Sequence, residues 1–304
     1  MRLGLALGGG GARGFAHIGV IEVLEKENIK FDIISGTSMG AIIGAFYSQY
    51  KDIEVVKSKM RSVVEKDIIK ELESKFSLVY SKRENTPFKK AFVFVKELYI
   101  WNLRALKRWF IDHKPFVEIF KEVFGELEFN SLNIPLICVA TDLISGKAFY
   151  LQTGPIWQAL VSTMALPGIF PPFRYEDKIL VDGGIVESLP VFALRQSKID
   201  FVLGVELEKE RKFIAINSGI NILLNVDEIR HYRLIDICLK NADFLISPQV
   251  EDYSWADFSK IDEIIDKGRE EAFQRVSQLK KEIRKRKIKR IFIPAIFNRK
   301  KNIC

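Results

Sequence analysis

Four consecutive glycines, Gly8 to Gly11, followed by Ala12, Arg13 and Gly14, stand between an apolar run at residues 2–7 and a helix-period segment at residues 13–27. Such a run has no side chains to bury and favours neither helix nor strand. It marks a place where the backbone itself is used, because its N–H groups can approach a bound anion closely. The residues ahead of it read as a short buried strand. Those behind it carry Phe15, Ile18, Gly19, Ile21, Val23 and Leu24 on a broad apolar side, with Glu25, Lys26 and Glu27 in water. A second strand is expected at residues 31–35. It runs into Gly36-Thr37-Ser38-Met39-Gly40 and a helix over Met39–Tyr50 that is apolar nearly all round. Strand, glycine turn, helix, strand, turn, helix argues for an α/β fold with a parallel sheet and crossover helices.

Residues 52–130 differ in character, being rich in Lys, Glu and aromatics such as Phe92, Phe94, Tyr99, Phe116 and Phe120. They read as a helical insert or lid after the second helix. Within it Trp101, Leu103, Leu106, Trp109 and Phe110 mix with Arg104, Lys107 and Arg108, which suits either a membrane-surface helix or an ordinary packed one. Strands return at residues 135–142 and 147–151. A helix is expected at 155–164, a strand at 178–181 ending on Asp182, further strands at 201–207 and 244–247, and helices at 218–242 and 260–287.

Gly36-Thr37-Ser38-Met39-Gly40 is a G-x-S-x-G pentapeptide between an apolar strand and an apolar helix. A sharp strand-to-helix turn needs glycines on both sides because the nucleophile's neighbours crowd the backbone, and the helix N-terminus supplies partial positive charge. Ser38 is therefore the candidate nucleophile; the plain alternative is a helix-capping serine. The glycine loop then reads as an oxyanion hole built from Gly9, Gly10, Gly11, Arg13 and Gly14. Its rival reading is a dinucleotide site, since Gly9, Gly11 and Gly14 satisfy G-x-G-x-x-G, but no carboxylate ends the second strand. A P-loop is excluded by the missing Lys-Ser/Thr.

A serine needs a base. His17 reads as a packing or capping residue, His113 as a surface residue beside Pro115, and His231 as the middle of a polar helix. Chain order Ser38, Asp182, His231 fits a hydrolase triad, yet only one strand–helix unit precedes the serine, which that fold does not do. Asp182 is the stronger candidate. It ends an apolar strand, is followed by Gly183 and Gly184, and at a strand's C-terminal end would face the same edge of a parallel sheet as Ser38. Its plain alternative is an Asp-Gly hairpin turn.

Taken together, Gly9 to Gly14, Gly36 to Gly40 and Asp182-Gly183-Gly184 resemble the patatin-like phospholipase family, in particular its compact bacterial members. The segment from Ser162 through Thr163 and Pro167 to Pro172 is similar to the one that precedes that family's aspartate. The likeness covers roughly residues 1–50 and 132–275 and fades between them. Gly8 departs from plant members, which carry aspartate there. The resemblance implies a three-layer α/β/α fold with a mostly parallel central sheet, a Ser38–Asp182 dyad without histidine, and release of fatty acid from a phospholipid or other lipid ester with no metal or other cofactor. The alternatives are a catalytically silent lipid- or partner-binding protein of the same fold, a nucleotide-binding protein, and a Ser-Asp-His esterase.

Composition bounds the setting. No apolar run reaches the roughly 18 residues of a membrane span, and three distant cysteines (Cys138, Cys238, Cys304) offer neither a disulfide framework nor a metal pair. These features predict a cytoplasmic protein. From residue 275 onward there are twelve basic residues against one acid, Glu282, so the body is net −3 within a total of +8. This divides the chain into an acyl-hydrolase domain over 1–279 and a basic tail over 280–304. The tail is expected to give peripheral contact with an anionic membrane, at the inner face, and no specific nucleic-acid recognition, since no such motif accompanies it.

Overall fold

The computed structural model describes residues 1–80, 111–207 and 215–299. Strand β1 (Leu3–Leu7) leads through a short 3-10 turn (Gly11–Phe15) into α1 (Ala16–Lys26). Then come β2 (Ile33–Thr37) and α2 (Met39–Tyr50). The insert contributes α3 (Ile53–Val64), α4 (Asp67–Tyr80) and α5 (Lys114–Phe124). The remainder is β3 (Leu136–Asp142), β4 (Lys147–Leu151), α6 (Ile156–Thr163), β5 (Phe173–Tyr175), β6 (Lys178–Asp182), α7 (Val191–Gln196), β7 (Phe201–Val205), α8 (Gly219–Lys240), β8 (Phe244–Ile246) and α9 (Ile261–Arg299). The aromatic and basic residues from Phe92 to Phe110 singled out above lie outside the described residues.

Among the described residues the sheet has eight strands. β3, β2, β1, β7 and β8 are parallel neighbours, whereas β4 and β6 pair antiparallel with β3, and β5 antiparallel with β6. Two apolar layers cover its faces. Leu3, Leu5, Leu7, Ile34 and Leu136 point into a cluster with α1, α2 and α9; Ala6, Ile33, Ile137, Val139 and Val202 point into another with α7 and Cys238 of α8. Alternation along each strand thus feeds both sides, which gives the three-layer α/β/α fold.

Several local expectations change. β2 extends through Gly36 and Thr37, because its ladder with β3 continues to Thr37 opposite Val139. β5 was not anticipated: three residues after two prolines are held only as a hairpin partner of β6. His113 is not a surface residue. It is half-buried, its ring stacked 6.1 Å from Phe170, and burial pushes its pKa below the ordinary value. The division at residue 279 falls inside α9, whose Val276 and Leu279 are buried. Beyond it, Lys280 pairs with Glu27, and Arg286 donates from Nε to the Asp200 carbonyl at 3.1 Å. Among the described residues no helix is long and apolar enough to cross a membrane.

Candidate active site

The position of Asp182 follows from how β3 is shared. Cys138 and Val139 pair with β2 on one side and β4 on the other; Ala140, Thr141 and Asp142 pair with β6 and β4. β2 and β6 therefore occupy the same side of β3 in succession, running in opposite directions. β2 ends at Thr37 opposite Val139, and β6 ends at Asp182 opposite Ala140. The two strands meet end to end, with Ser38 and Asp182 at the junction. This replaces the expectation of a shared parallel edge: Asp182 arrives from an antiparallel strand.

Ser38 sits at φ 53°, ψ −124°, a conformation that costs a non-glycine residue about 1–3 kcal/mol. The turn is that tight because α2 starts against β1. A Cβ on Gly40 would lie 2.2 Å from the Leu7 carbonyl oxygen, and one on Gly36 2.3 Å from the Ala41 Cα. The Ser38 side chain makes no helix-capping hydrogen bond, so the plain capping reading does not describe it. Its N–H donates to Thr163 Oγ1 at 2.9 Å, and that hydroxyl donates on to the Val139 carbonyl. Two residues later the Ala165 carbonyl accepts the Asp182 N–H at 3.0 Å. The end of α6 thus holds both halves of the junction, a role for Thr163 that its residue type did not disclose.

Asp182 is 5% exposed. Its Oδ1 accepts the Gly184 N–H at 2.8 Å and its carbonyl accepts the Thr141 hydroxyl at 2.9 Å. Gly183 lies directly against the Val139 carbonyl.

The glycine loop is fastened from several directions. Gly8 N–H donates to Val205, Gly9 N–H to Ser188 and Ala12 N–H to Trp255, all to carbonyls at 2.7–3.0 Å. Gly11 adopts φ 58°, and any Cβ there would meet the Trp255 carbonyl at 2.3 Å. Gly9 is beside Ser38: a Cβ on it would be 3.6 Å from the Ser38 Cβ. Gly14, by contrast, does not line the cavity; it packs on Met39, the first residue of α2. His17 holds the loop from below, its Nε2–H donating to the Gly8 carbonyl at 2.8 Å. Burial drives its pKa down to about 4, against a smaller opposing pull from that hydrogen bond, so the ring is neutral at pH 7.

Ser38 and Asp182 open into a cavity of about 600 Å³. Gly9, Gly10, Gly11 and Arg13 line the same space. The insert supplies much of its apolar wall, including Met60, Val64, Ile69, Leu72, Ile119 and Phe120. Leu166, Ile185 and Leu234 line the cavity while remaining 37–40% exposed, which marks its mouth. His231 is on the wall too, contributed by α8. That helix is not polar as expected: it exposes Ile222, Leu223, Val226, Ile229 and Ile237. Among the described residues no group of three His, Cys, Asp or Glu side chains is arranged to hold a metal ion.

Residues 5–195 match the sequence profile of the patatin-like phospholipase family, more than half of the chain. An uncharacterized NTE family protein of Mycobacterium tuberculosis is 30% identical over 206 residues, covering 68% of this chain and 49% of its own length. The lysophospholipase NTE1 of Debaryomyces hansenii is 25% identical, over 88% of this chain and 17% of its own. The chain thus spans half or less of the length of these curated relatives. Among solved structures, VipD from Legionella pneumophila is similar in fold, with a TM-score of 0.50 at 13% identity over 91% of this chain and 66% of that one. With its glycine loop, serine elbow and Asp-Gly-Gly turn gathered at one cavity within the matched region, the chain belongs to the patatin-like phospholipase family.

Proposed function

We propose that this chain is a serine acyl hydrolase that cleaves fatty-acyl esters of phospholipids or other lipids through a Ser38–Asp182 dyad. The observation that carries the reading is the end-to-end meeting of β2 and β6, which brings a strained, non-capping serine and a buried carboxylate to one apolar cavity. Ser38 Oγ attacks the ester carbonyl as Asp182 takes its proton. The tetrahedral oxyanion is held by N–H groups of the glycine loop. Those of Gly8, Gly9 and Ala12 already have carbonyl partners, so the work falls to Gly10 and Gly11, with Arg13 nearby. Collapse expels the alcohol, which leaves with the proton from Asp182, and acylates Ser38. Asp182 then deprotonates water, which attacks the acyl-enzyme; the fatty acid departs and Ser38 recovers its proton. The acyl chain occupies the space between Met60, Leu72 and Phe120.

A fluorophosphonate probe tests the chemistry: it should label the native chain at Ser38 and leave Ser38→Ala unlabelled. A panel of lysophospholipid, phospholipid and neutral-lipid esters then assigns the head group. No labelling and no turnover across the panel would leave a silent lipid-binding protein. The second reading, a Ser-Asp-His triad, draws on one fact, that His231 also lines the cavity. A folded, inactive His231→Ala variant would favour it.

A further inference from the structure

Helix α8 has two apolar sides. Tyr232, Ile235 and Cys238 are buried against the body. At 100° per residue, Ile222, Leu223, Val226, Ile229, Leu234 and Ile237 fall on a different arc about 140° wide. These six are 37–69% exposed, and Ile216, just before the helix, is 71% exposed. The remaining long side chains on that arc are Arg230, Arg233 and Lys240, all exposed; no carboxylate lies within it. An aliphatic stripe interleaved with cations, with the carboxylates of Asp227 and Asp236 kept to its two borders, is the pattern of a helix lying in a lipid headgroup layer. The charge continues at the helix's C-terminal end. Asp243, three residues beyond Lys240, receives Arg286 of α9 at 3.3 Å. The arc also reaches the active cavity, because Arg230 and Leu234 belong to both.

We propose that the outer face of α8 docks this chain on an anionic bilayer surface, with the mouth of the Ser38 cavity turned toward the lipid. The consequence for turnover rests on the lipid-ester reading above; the docking does not. Ile222 and Leu223 enter the acyl boundary, Arg230, Arg233 and Lys240 meet anionic head groups, and a lipid reaches the cavity past Leu234, Leu166 and Ile185.

The test uses the full chain carrying Ser38→Ala, so that binding is read apart from catalysis, with vesicles of phosphatidylglycerol and phosphatidylcholine or of phosphatidylcholine alone. Sedimentation with the anionic vesicles is expected, weakening with salt. Adding Leu223→Glu and Val226→Glu, neither of which lines the cavity, should weaken it on the order of ten-fold or more. A separate Leu223→Trp variant should shift its emission further to the blue than the parent chain, whose own four tryptophans set the baseline, when anionic vesicles are added. This readout needs no loss of binding and so is safe from misfolding. In the chain with Ser38 intact, the double substitution should lower hydrolysis of vesicle lipid while sparing a soluble short-chain ester. Unchanged vesicle binding by the double variant, no binding by the parent, or an unshifted tryptophan in sedimented protein would each overturn the proposal. So would a Leu223→Trp emission shift no larger than the parent's, or a dimer in solution that the double substitution splits, which would assign the face to a second copy. Docking as expected from a chain with no esterase activity would uphold this proposal and defeat the hydrolase reading.

Discussion

Around Ser38 and Asp182 hydrogen bonds to main-chain amides do the positioning. Thr163 holds the Ser38 amide, Ala165 that of Asp182, Ser188 that of Gly9 and Trp255 that of Ala12. Across the cavity the opposite wall, from α3, α4 and α5, is apolar: Met60, Ile69, Leu72, Ile119 and Phe120 are held by packing and are interchangeable in kind. One region should fail when a single atom is misplaced, and the other should adapt. The most damaging test is at the two proposed reacting groups. Ser38→Ala and Asp182→Asn should each lower kcat/KM on the order of 10⁴-fold on any ester the chain cleaves, with the melting temperature little changed. His231→Ala should lose about ten-fold at most. A full loss there, in folded protein, would move the base from the junction to the α8 wall.

A methyl group measures how rigid the polar region is. Gly40→Ala drives its Cβ to within 2.2 Å of the Leu7 carbonyl and 2.6 Å of the Gly8 carbonyl, both main-chain atoms that cannot move alone. It should cost about 3 kcal/mol or more of stability. Gly44→Ala, one turn later in the same helix, meets the Leu136 side chain at 3.2 Å and should change stability by no more than about 1 kcal/mol in thermal denaturation. Equal effects at the two positions would show that the elbow is no tighter than the packed helix behind it. Thr163→Val tests the tie between the strand ends. It strips the Ser38 amide of its acceptor and should lower kcat roughly 10- to 100-fold with KM little altered, while Thr163→Ser restores it.

What the sequence disclosed divides along the same line. Ser38, Asp182 and the glycine loop are legible because each is a contiguous pattern whose geometry is fixed within a few residues. The junction is not. That β6 runs antiparallel and meets β2 head-on depends on both sharing one side of β3, a pairing over more than a hundred residues that local spacing does not encode. Thr163 is missed for the same reason, its partner Ser38 being 125 residues away. The segment around His231 reads as a polar helix because acids and arginines interrupt the aliphatics in sequence; only the helical projection gathers Ile222, Val226, Ile229 and Ile237. α9 was expected to end at 287 and runs to Arg299.

Acid should find the polar region first, through His17. Its folded pKa of about 4 lies below the unfolded value of 6.5. Between those limits the unfolded chain binds a proton that the folded chain refuses. Stability is therefore full above pH 6.5 and falls as pH drops toward 4, by roughly 3 kcal/mol. His17→Gln can keep a donor to the Gly8 carbonyl without titrating, and should flatten that part of the pH–stability curve. Some slope should persist, since burial depresses His113 in the same direction. Glu22 acts lower. Burial alone would raise its pKa, but hydrogen bonds from Arg269 and Lys26 hold it at about 2, so its contribution is lost only as pH falls from 4.5 through that value. A His17→Gln curve that overlays the native one would detach His17 from the loop's stability.

The smallest effect belongs to the apolar wall, and it is informative because it is small. Phe120 is 4% exposed and lines the cavity from α5. Phe120→Leu keeps an apolar contact while opening space, so it should cost about 1 kcal/mol of stability. Turnover of a mid-length ester should change less than ten-fold, because each methylene gained or lost in a hydrophobic site is worth only about 0.8 kcal/mol, or roughly four-fold. The optimum should move to longer acyl chains. Val64→Phe, on α3 in the same wall, should move it to shorter ones. Opposite shifts of this size would mean that the wall measures chain length while the junction performs the chemistry. A loss of 10³-fold or more from Phe120→Leu, with the fold intact, would mean that the wall helps to position Ser38 and Asp182, and the contrast between the two regions would fail.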